Sequence, residues 1–239
     1  MRFGSLFAGC GGMDLGLCRA GLICDWQVEI NDHCRGVLAK HWPNIRRHDD
    51  VRTFQPDDEW TVDLIVGGDP CQENSAARDA SHNCTEPSLG SEFIRIVSIL
   101  RPRIVLRENP TFVRTDAPWP WWRFRLELES LGYAVLPFRL RACCFGAFHQ
   151  RDRMFLLAEL ANPISHGLAR RKEKTQDRHA SESARRIHAA DWMALSASRG
   201  FGSRNGLAEY VDRVKSIGNA VYPDVAEWIG QRIAESFDA

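Results

Sequence analysis

The chain has 239 residues, of which 44% are hydrophobic and 26% are charged, a composition typical of a globular protein with one substantial core. The 31 basic residues balance the 31 acidic ones, so a formal net charge of zero offers no global attraction to a polyanion. No run of about 18 apolar residues occurs, so a membrane span is not expected. The residues from Met1 onward enter a strand pattern directly, which predicts a protein without a secretory signal.

Strand-like and helix-like segments alternate over the first 160 residues. Apolar patterning predicts strands at Phe3–Phe7, Ile23–Ile30, Asp63–Val66, Ile104–Leu106, Tyr133–Leu140 and Met154–Ala158. Helical spacing predicts helices at Gly12–Ala20, Asp32–His41, Ser91–Leu100 and Trp122–Leu131. Such alternation with short connections is typical of an α/β fold, here a doubly wound, mostly parallel sheet covered on both faces.

Two of these helices carry specific expectations about burial. In the first, Leu15 and Leu17 are expected to face inward. In the fourth, the aromatic cluster around Trp122 could stack on nucleic-acid bases, but a buried side formed by Trp122, Leu126 and Leu131 is the favoured interpretation.

The alternating pattern ends near residue 160. Residues 161–205 contain nine Lys or Arg and three His against four Asp or Glu, so this segment is locally basic. It could dock on a polyanion, or it could be a solvated basic linker. Asp224–Phe237 is predicted to be a closing helix, so residues 206–239 are assigned to the same domain as residues 1–160.

The first predicted strand runs into a glycine-rich turn at residues 7–12, just before the first helix. Glycines there let the backbone approach a ligand, and the helix N-terminus offers unpaired N–H groups. The turn could hold a nucleotide phosphate or a carboxylate, or it could only pack helix on strand. Glu29, at the end of the second strand, is placed for ribose hydroxyls, and Asp50 is placed to accept from an adenine amino group. An adenosine-bearing cofactor fits this pattern.

The eight cysteines, at positions 10, 18, 24, 34, 71, 84, 143 and 144, include no Cys-x-x-Cys pair, so no metal site is predicted. Without an export signal they are interpreted as reduced thiols of a cytoplasmic protein. Cys71 differs from the others because it follows the end of a buried strand, in the tripeptide Pro70-Cys71-Gln72. A cysteine presented on such a loop can be a nucleophile.

Five short motifs occur in a fixed order: residues 7–12, Pro70-Cys71-Gln72, Glu108-Asn109, residues 150–153 and Gly218-Asn219-Ala220. Together they resemble the ordered motifs of the C5-cytosine DNA methyltransferase family, over residues 1–160 and about 207–239. The resemblance implies a class I, Rossmann-like methyltransferase fold with S-adenosylmethionine as cofactor. It also implies a monomer acting on double-stranded DNA with the target cytosine flipped out, in a bacterial or phage-infected cell.

The resemblance assigns the chemistry to four residues. The Cys71 thiolate would add to carbon 6 of cytosine, which activates carbon 5. Glu108 would hydrogen-bond or protonate N3 and the exocyclic N4. Arg151 and Arg153 would hold the base O2 and an adjacent phosphate.

The resemblance also assigns two sets of binding residues. The cofactor site would comprise Phe7, Ala8, Gly9, Cys10, Gly11, Gly12, Leu15, Glu29, Ile30, Asp50, Val51, Gly68, Pro70, Asn219 and Ala220. The contacts to DNA would come from Gln72, Ser75 and Arg78 in the polar loop after Cys71.

The chain departs from the family pattern in several places. Asp69 stands where an apolar or aromatic residue is common, Pro110 where valine is typical, and Phe148-His149 where Pro-Gln is common. Residues 161–205 would be a reduced target-recognition segment, either ordered or disordered. Compact chains of this type resemble the orphan methyltransferases of phages and prophages. These departures put sequence specificity, DNA affinity and rate in doubt.

Three alternatives stay open. The substrate could be a structured RNA such as tRNA, because the recognition segment is short. The protein could be a non-catalytic relative that binds nucleic acid, although Cys71, Glu108, Arg151 and Arg153 are intact. A nucleotide-dependent oxidoreductase could use the same glycine turn, but it would leave Pro70-Cys71-Gln72 and Glu108-Asn109 unexplained.

Overall fold

The computed structural model describes residues 1–70, 89–110, 121–148, 151–161 and 221–237. Its strands are β1 (Arg2–Leu6), β2 (Ile23–Val28), β3 (Arg46–His48), β4 (Leu64–Gly67), β5 (Ile104–Pro110), β6 (Tyr133–Arg141) and β7 (Asp152–Leu160). Its helices are α1 (Gly12–Arg19), α2 (Asp32–His41), α3 (Leu89–Leu100), α4 (Trp121–Ser130) and α5 (Pro223–Phe237). Short 3₁₀ turns cover Asp58–Trp60 and Ala142–Phe145.

These strands form one seven-stranded sheet in the order β3-β2-β1-β4-β5-β7-β6. The pairs β3–β2, β2–β1, β1–β4 and β4–β5 are parallel, and β7 is antiparallel to both of its neighbours. The strand order reverses around β1, which is the doubly wound arrangement predicted from the alternating sequence. The fold class is therefore confirmed.

Helices cover both faces of the sheet. Successive residues of a strand point to opposite sides, so an apolar strand places side chains in a core on each face. On β4, Leu64 and Val66 join a core with α1 and α5. Ile65, between them, joins a second core with α3 and α4. All three side chains are fully buried.

Two helix faces differ from the sequence expectation. Leu17 is fully buried, but Leu15 is 38% exposed, because residues two apart on a helix lie about 200° apart around its axis. On α4 the buried side is formed by Phe124 and Leu128. Each of them stands two residues after Trp122 or Leu126 and therefore points to a different side of the helix. The predicted buried side was therefore wrong for Trp122 and Leu126, which are 47% and 54% exposed, whereas Leu131, just after the helix, is partly buried against the core.

The closing helix α5 packs closely on α1. A Cβ added at Gly16 would lie 2.6 Å from Ala226 Cβ and would also meet the Pro223 carbonyl oxygen. A Cβ added at Gly230 would lie 2.7 Å from Ala20 Cβ. Small residues therefore allow α5 to dock against α1, beside the glycine turn.

We expect Gly16→Ala to lower the free energy of unfolding by about 1–3 kcal/mol, because the new methyl group has no space beside α5. Urea denaturation measures this change. Gly36→Ala is the matched control, since Gly36 lies in α2 with open space around its Cα, and it should stabilise by about 0.5–1 kcal/mol. Equal effects of the two substitutions would contradict the close α1–α5 contact.

Among the helices that the structure describes, none is long and apolar enough to cross a membrane.

Candidate active site

The carboxyl ends of the parallel strands meet at one edge of the sheet, where ligands bind in open α/β folds. The glycine turn follows β1, Glu29 follows β2, and Gly68 to Pro70 follow β4. Strand β5 is longer than predicted, so Glu108 lies within the strand instead of after it. The extension comes from antiparallel pairing with β7, which matches Glu108 to Phe155 and Pro110 to Arg153.

The glycine turn has a fixed backbone shape. Gly11 caps α1 with a left-handed φ of 79°, and a Cβ there would lie 2.6 Å from the Trp42 ring. Because glycine has no side chain, the N-cap residue Gly11 leaves the first N–H groups of α1 without a capping hydrogen bond from its own side chain. A small polar or anionic group could approach this helix terminus.

The Glu29 carboxylate ties the glycine turn to the start of α2. Its Oε2 accepts from the Gly9 N–H at 2.7 Å, and its Oε1 accepts from the Asn31 N–H at 2.8 Å. Each carboxylate oxygen has a further lone pair that could accept from a hydroxyl group. Ile30 beside it is 59% exposed, which provides apolar surface at the same edge.

Asp50 and Val51 lie after β3. The Arg52 guanidinium donates to both Asp50 oxygens, at 2.8–3.0 Å. Hydrogen bonds from Arg52 hold the pKa of Asp50 below its usual range, so this carboxylate is an acceptor throughout the neutral pH range. Val51 is buried, which fixes the chain beside Asp50.

Glu108 is a buried carboxylate facing cations. Its Oε1 lies 2.6 Å from Arg153 Nε in an ion pair, because Arg153 stands diagonally opposite on β7. Burial raises the pKa of Glu108, while the charges of Arg153 and Arg151 oppose that shift. A Cβ at Gly68 would lie 2.8 Å from Glu108 Oε2, so the chain that leads to Cys71 passes directly beside this carboxylate.

The structure thus brings Glu108, Arg153 and Gly68 together, and it places Glu29 beside the glycine turn. Pro70 is exposed and is the last described residue before Cys71. Six predicted site residues lie outside the described residues, and they are Cys71, Gln72, Ser75, Arg78, Asn219 and Ala220. Within the described ranges, no group of three or more His, Cys, Asp or Glu side chains is arranged to hold a metal ion.

A buried polar cluster beside Glu108 was not predicted from the sequence. Arg107 donates through Nε and Nη2 to the two oxygens of Asp69, at 2.5 and 2.6 Å. Asn109 Nδ2 donates to Asp69 Oδ1 at 3.0 Å. Two features of the sequence could have indicated this cluster. Arg107 directly follows the apolar run Ile104–Leu106, and Asp69 stands where the family usually has an apolar or aromatic residue.

A second missed cluster lies beneath the glycine turn. The fully buried Asp14 accepts from Ser5 Oγ at 2.7 Å and from Gln27 Nε2 at 2.8 Å. Gln27 Oε1 in turn accepts from Arg47 Nε at 3.0 Å. Burial raises the pKa of Asp14 to about 6, although its hydrogen bonds and Arg47 oppose that shift. The network joins β1, α1, β2 and β3 under the turn.

We expect Asp14→Asn to be more stable than the unmodified protein at pH 7, by roughly 1–3 kcal/mol. The amide oxygen can accept from Gln27 and the amide nitrogen can donate to Ser5, without the cost of burying a charge. Because the pKa of Asp14 is raised on folding, the folded state binds more protons between about pH 4 and 6, and stability falls as pH rises through this window. The advantage of the variant should therefore disappear below about pH 4.

Urea denaturation of both proteins from pH 4 to pH 7 measures this difference. Asp14→Ala is the matched control, because it leaves Ser5 and Gln27 without an acceptor and should be destabilised at every pH. A stability difference between the Asn variant and the unmodified protein that does not change with pH would contradict the raised pKa.

Comparison with known proteins identifies the family. The model of the C-5 cytosine-specific DNA methylase family matches residues 1–199. Type II methyltransferase M.HgiCII of Herpetosiphon aurantiacus is 34% identical over 167 residues, which cover 65% of this chain and 36% of that protein. M.Eco47II of Escherichia coli is 32% identical over 168 residues, which cover 68% of this chain and 40% of that protein. The chain thus matches only about two fifths of the length of these relatives.

Solved structures share the fold. A chain described as a DNA modification methyltransferase encoded within an E. coli prophage superposes with a TM-score of 0.66 at 18% identity, over 100% of both chains. A DNMT2 variant of Spodoptera frugiperda gives a TM-score of 0.55 at 22% identity, over 72% of this chain and 53% of that one. These likenesses agree with the Rossmann-like methyltransferase fold predicted from the sequence. Since the family model covers most of the chain, this protein belongs to the C-5 cytosine-specific DNA methylase family.

Proposed function

We propose that the protein transfers a methyl group from S-adenosylmethionine to carbon 5 of cytosine in double-stranded DNA. The observation that carries this proposal is the environment of the buried Glu108. Its carboxylate is ion-paired to Arg153, and it contacts Gly68, which stands three residues before Cys71 in the sequence. A carboxyl group with a raised pKa, beside the chain that leads to Cys71, suits the activation of a pyrimidine ring.

The residues at the strand edge fit S-adenosylmethionine. The uncapped N-terminus of α1 would receive its carboxylate, and Glu29, already held by two backbone N–H groups, would accept from its ribose hydroxyls. Asp50 would accept from its adenine amino group. When bound there, the cofactor supplies the electrophilic methyl group. Asn219 and Ala220 are proposed to complete the same site.

The protein's own residues would activate the cytosine. The Cys71 thiolate adds to carbon 6 while Glu108 donates a proton or hydrogen bond to N3, so the electron pair of the carbon 5–carbon 6 double bond becomes available at carbon 5. After methylation, the carbon 5 proton leaves and its electron pair re-forms the double bond, which expels the thiolate. This chemistry requires the base to be flipped out of the duplex.

Two arginines around one carboxylate leave this site locally cationic. Arg153 holds Glu108 in place, and Arg151 adds a second positive charge near that carboxylate. A cationic site favours the thiolate form of Cys71 and the approach of DNA phosphate. Gln72, Ser75 and Arg78 would add DNA contacts, and residues 161–205 would supply the short target-recognition segment of a protein that acts as a monomer.

The test is transfer of labelled methyl groups. Purified protein is incubated with radiolabelled S-adenosylmethionine and either mixed-sequence duplex DNA or tRNA, and the labelled nucleoside is identified after digestion. Label in 5-methyldeoxycytidine from duplex DNA supports the proposal. Label confined to RNA would replace it with RNA methylation, and cofactor binding without any transfer would indicate a non-catalytic relative.

A further inference from the structure

A buried ion pair joins the chain before Cys71 to the strand that carries Glu108. The Asp69 and Arg107 side chains are only 4% and 2% exposed, and the guanidinium engages both carboxylate oxygens side-on. Asn109 donates a third hydrogen bond to Asp69. The Arg107 guanidinium also lies 4.1 Å above the Phe124 ring, which links the pair to α4.

Residues 67–69, at the end of β4 and just beyond it, run side by side with residues 107–109 of β5, and successive residues of both segments alternate between the same two faces. On β5, Arg107 and Asn109 point to one face and Glu108 points to the other. Strands β4 and β5 pair as far as Gly67 and Arg107. Beyond that point Gly68 lies against Glu108, while Asp69 is bound by Arg107 and Asn109. The chain after β4 is thus hydrogen-bonded to β5 side chains on one face and lies in close contact with Glu108 on the other.

Stability alone does not account for this arrangement. Removing two charges from water is costly, and an apolar pair of similar volume is often as stable as a buried ion pair. A side-on guanidinium–carboxylate pair, however, fixes orientation as well as distance. Pro70 alone separates Asp69 from Cys71, and its ring restricts the backbone between them.

We propose that Asp69 and Arg107 are positioning residues that hold the Cys71-bearing chain in register with Glu108. The inference rests on the proposed function, in which both groups act on one cytosine ring. A small misplacement of either group would slow formation of the covalent adduct, because reacting atoms must be held close together and aligned. Most predicted contacts to S-adenosylmethionine lie at the turn after β1 and at Glu29, while Gly68 and Pro70, on either side of Asp69, would add two more. Loss of the pair should therefore lower kcat far more than it weakens cofactor binding.

The first experiment separates positioning from stability. Asp69→Leu leaves Arg107 buried without its partner and should lower both the Tm and kcat. The double variant Asp69→Leu/Arg107→Met removes both charges, so its Tm should return to within a few degrees of the unmodified protein. Its kcat should nevertheless stay at least about tenfold lower, with a much smaller change in the KM for S-adenosylmethionine. A double variant with restored Tm and restored kcat would overturn the inference.

The second experiment needs no enzymatic turnover. Asp69→Asn removes a negative charge close to Cys71 and leaves the positive charge of Arg107, so the thiolate should form at lower pH. The rate of Cys71 alkylation by iodoacetamide, followed by peptide mass spectrometry, should show a pH profile shifted to lower pH. Asp25→Asn is the matched control, since Asp25 pairs with Arg2 and Arg46 at the opposite end of the sheet, and it should leave the profile unchanged.

The outcomes distinguish the two proposals. If the unmodified protein methylates no nucleic acid, the proposed function fails, and the alkylation profile still decides whether Asp69 lies close enough to influence Cys71. If methylation is observed but the double variant Asp69→Leu/Arg107→Met keeps the kcat of the unmodified protein, the positioning role fails while the proposed function stands.

Discussion

Replacing Cys71 by alanine is expected to abolish methyl transfer, with a rate loss of roughly 10⁴-fold or more. Without the thiolate no adduct forms at carbon 6, and carbon 5 of cytosine remains too weak a nucleophile to take the methyl group. Binding of S-adenosylmethionine should be unchanged, because Glu29 and the glycine turn lie on other strands. Filter-binding with labelled cofactor and the methyl-transfer assay measure the two quantities separately.

Cys144→Ala is the matched control for this substitution. Cys144 is a half-buried thiol that follows β6 and is not among the predicted site residues, so its loss should leave the rate nearly unchanged. Duplex DNA with 5-fluorocytosine provides a direct readout, since fluorine cannot leave as a cation and the adduct therefore persists. A covalent protein–DNA complex formed by the Cys71→Ala variant would contradict the assignment of the nucleophile.

Local sequence signals predicted most of the fold. Helix α2 has its predicted bounds, Asp32–His41, and its N-cap Asn31 accepts from the Cys34 N–H at 3.0 Å. Strand β3 was missed because its three residues, Arg46–His48, are polar and are strand only through pairing with β2. The far end of β5 was missed for a related reason, since the pairing partner that extends it lies more than 40 residues away in β7.

The candidate site was predictable where a residue stands at the end of a strand that the local sequence reveals. Their positions at the ends of predicted strands placed the glycine turn, Glu29 and Glu108 at one edge of the sheet, as the structure has them. The Asp69–Arg107 pair was not predictable because its members are 38 residues apart and each alone resembles an ordinary surface charge. Asp14 was missed similarly, since only the fold brings Gln27 within reach of that carboxylate. The assigned roles of Cys71, Glu108 and the cofactor-binding residues stay predictions.

Replacing Glu108 by glutamine is expected to lower the rate of methyl transfer by roughly 10²–10⁴-fold. Glutamine has nearly the same shape and can still hydrogen-bond the ring, but it has no acidic proton to give to N3. Cofactor binding should be unaffected. Single-turnover methylation measures the loss, and Glu159→Gln on β7 is the matched control, because Glu159 lies at the other end of the β5–β7 pair beside Arg103.

The pH dependence of the methyl-transfer rate tests directly whether Glu108 donates a proton. Burial raises the pKa of Glu108, so its protonated, donating form persists to higher pH than that of an exposed glutamate. The rate should rise with pH as Cys71 forms its thiolate and fall as Glu108 loses its proton, which gives a bell-shaped profile. In Glu108→Gln the alkaline fall should vanish while the acidic rise remains. A variant that keeps the full bell shape would show that Glu108 is not the proton donor, and Arg153 would then hold a carboxylate with an electrostatic role alone.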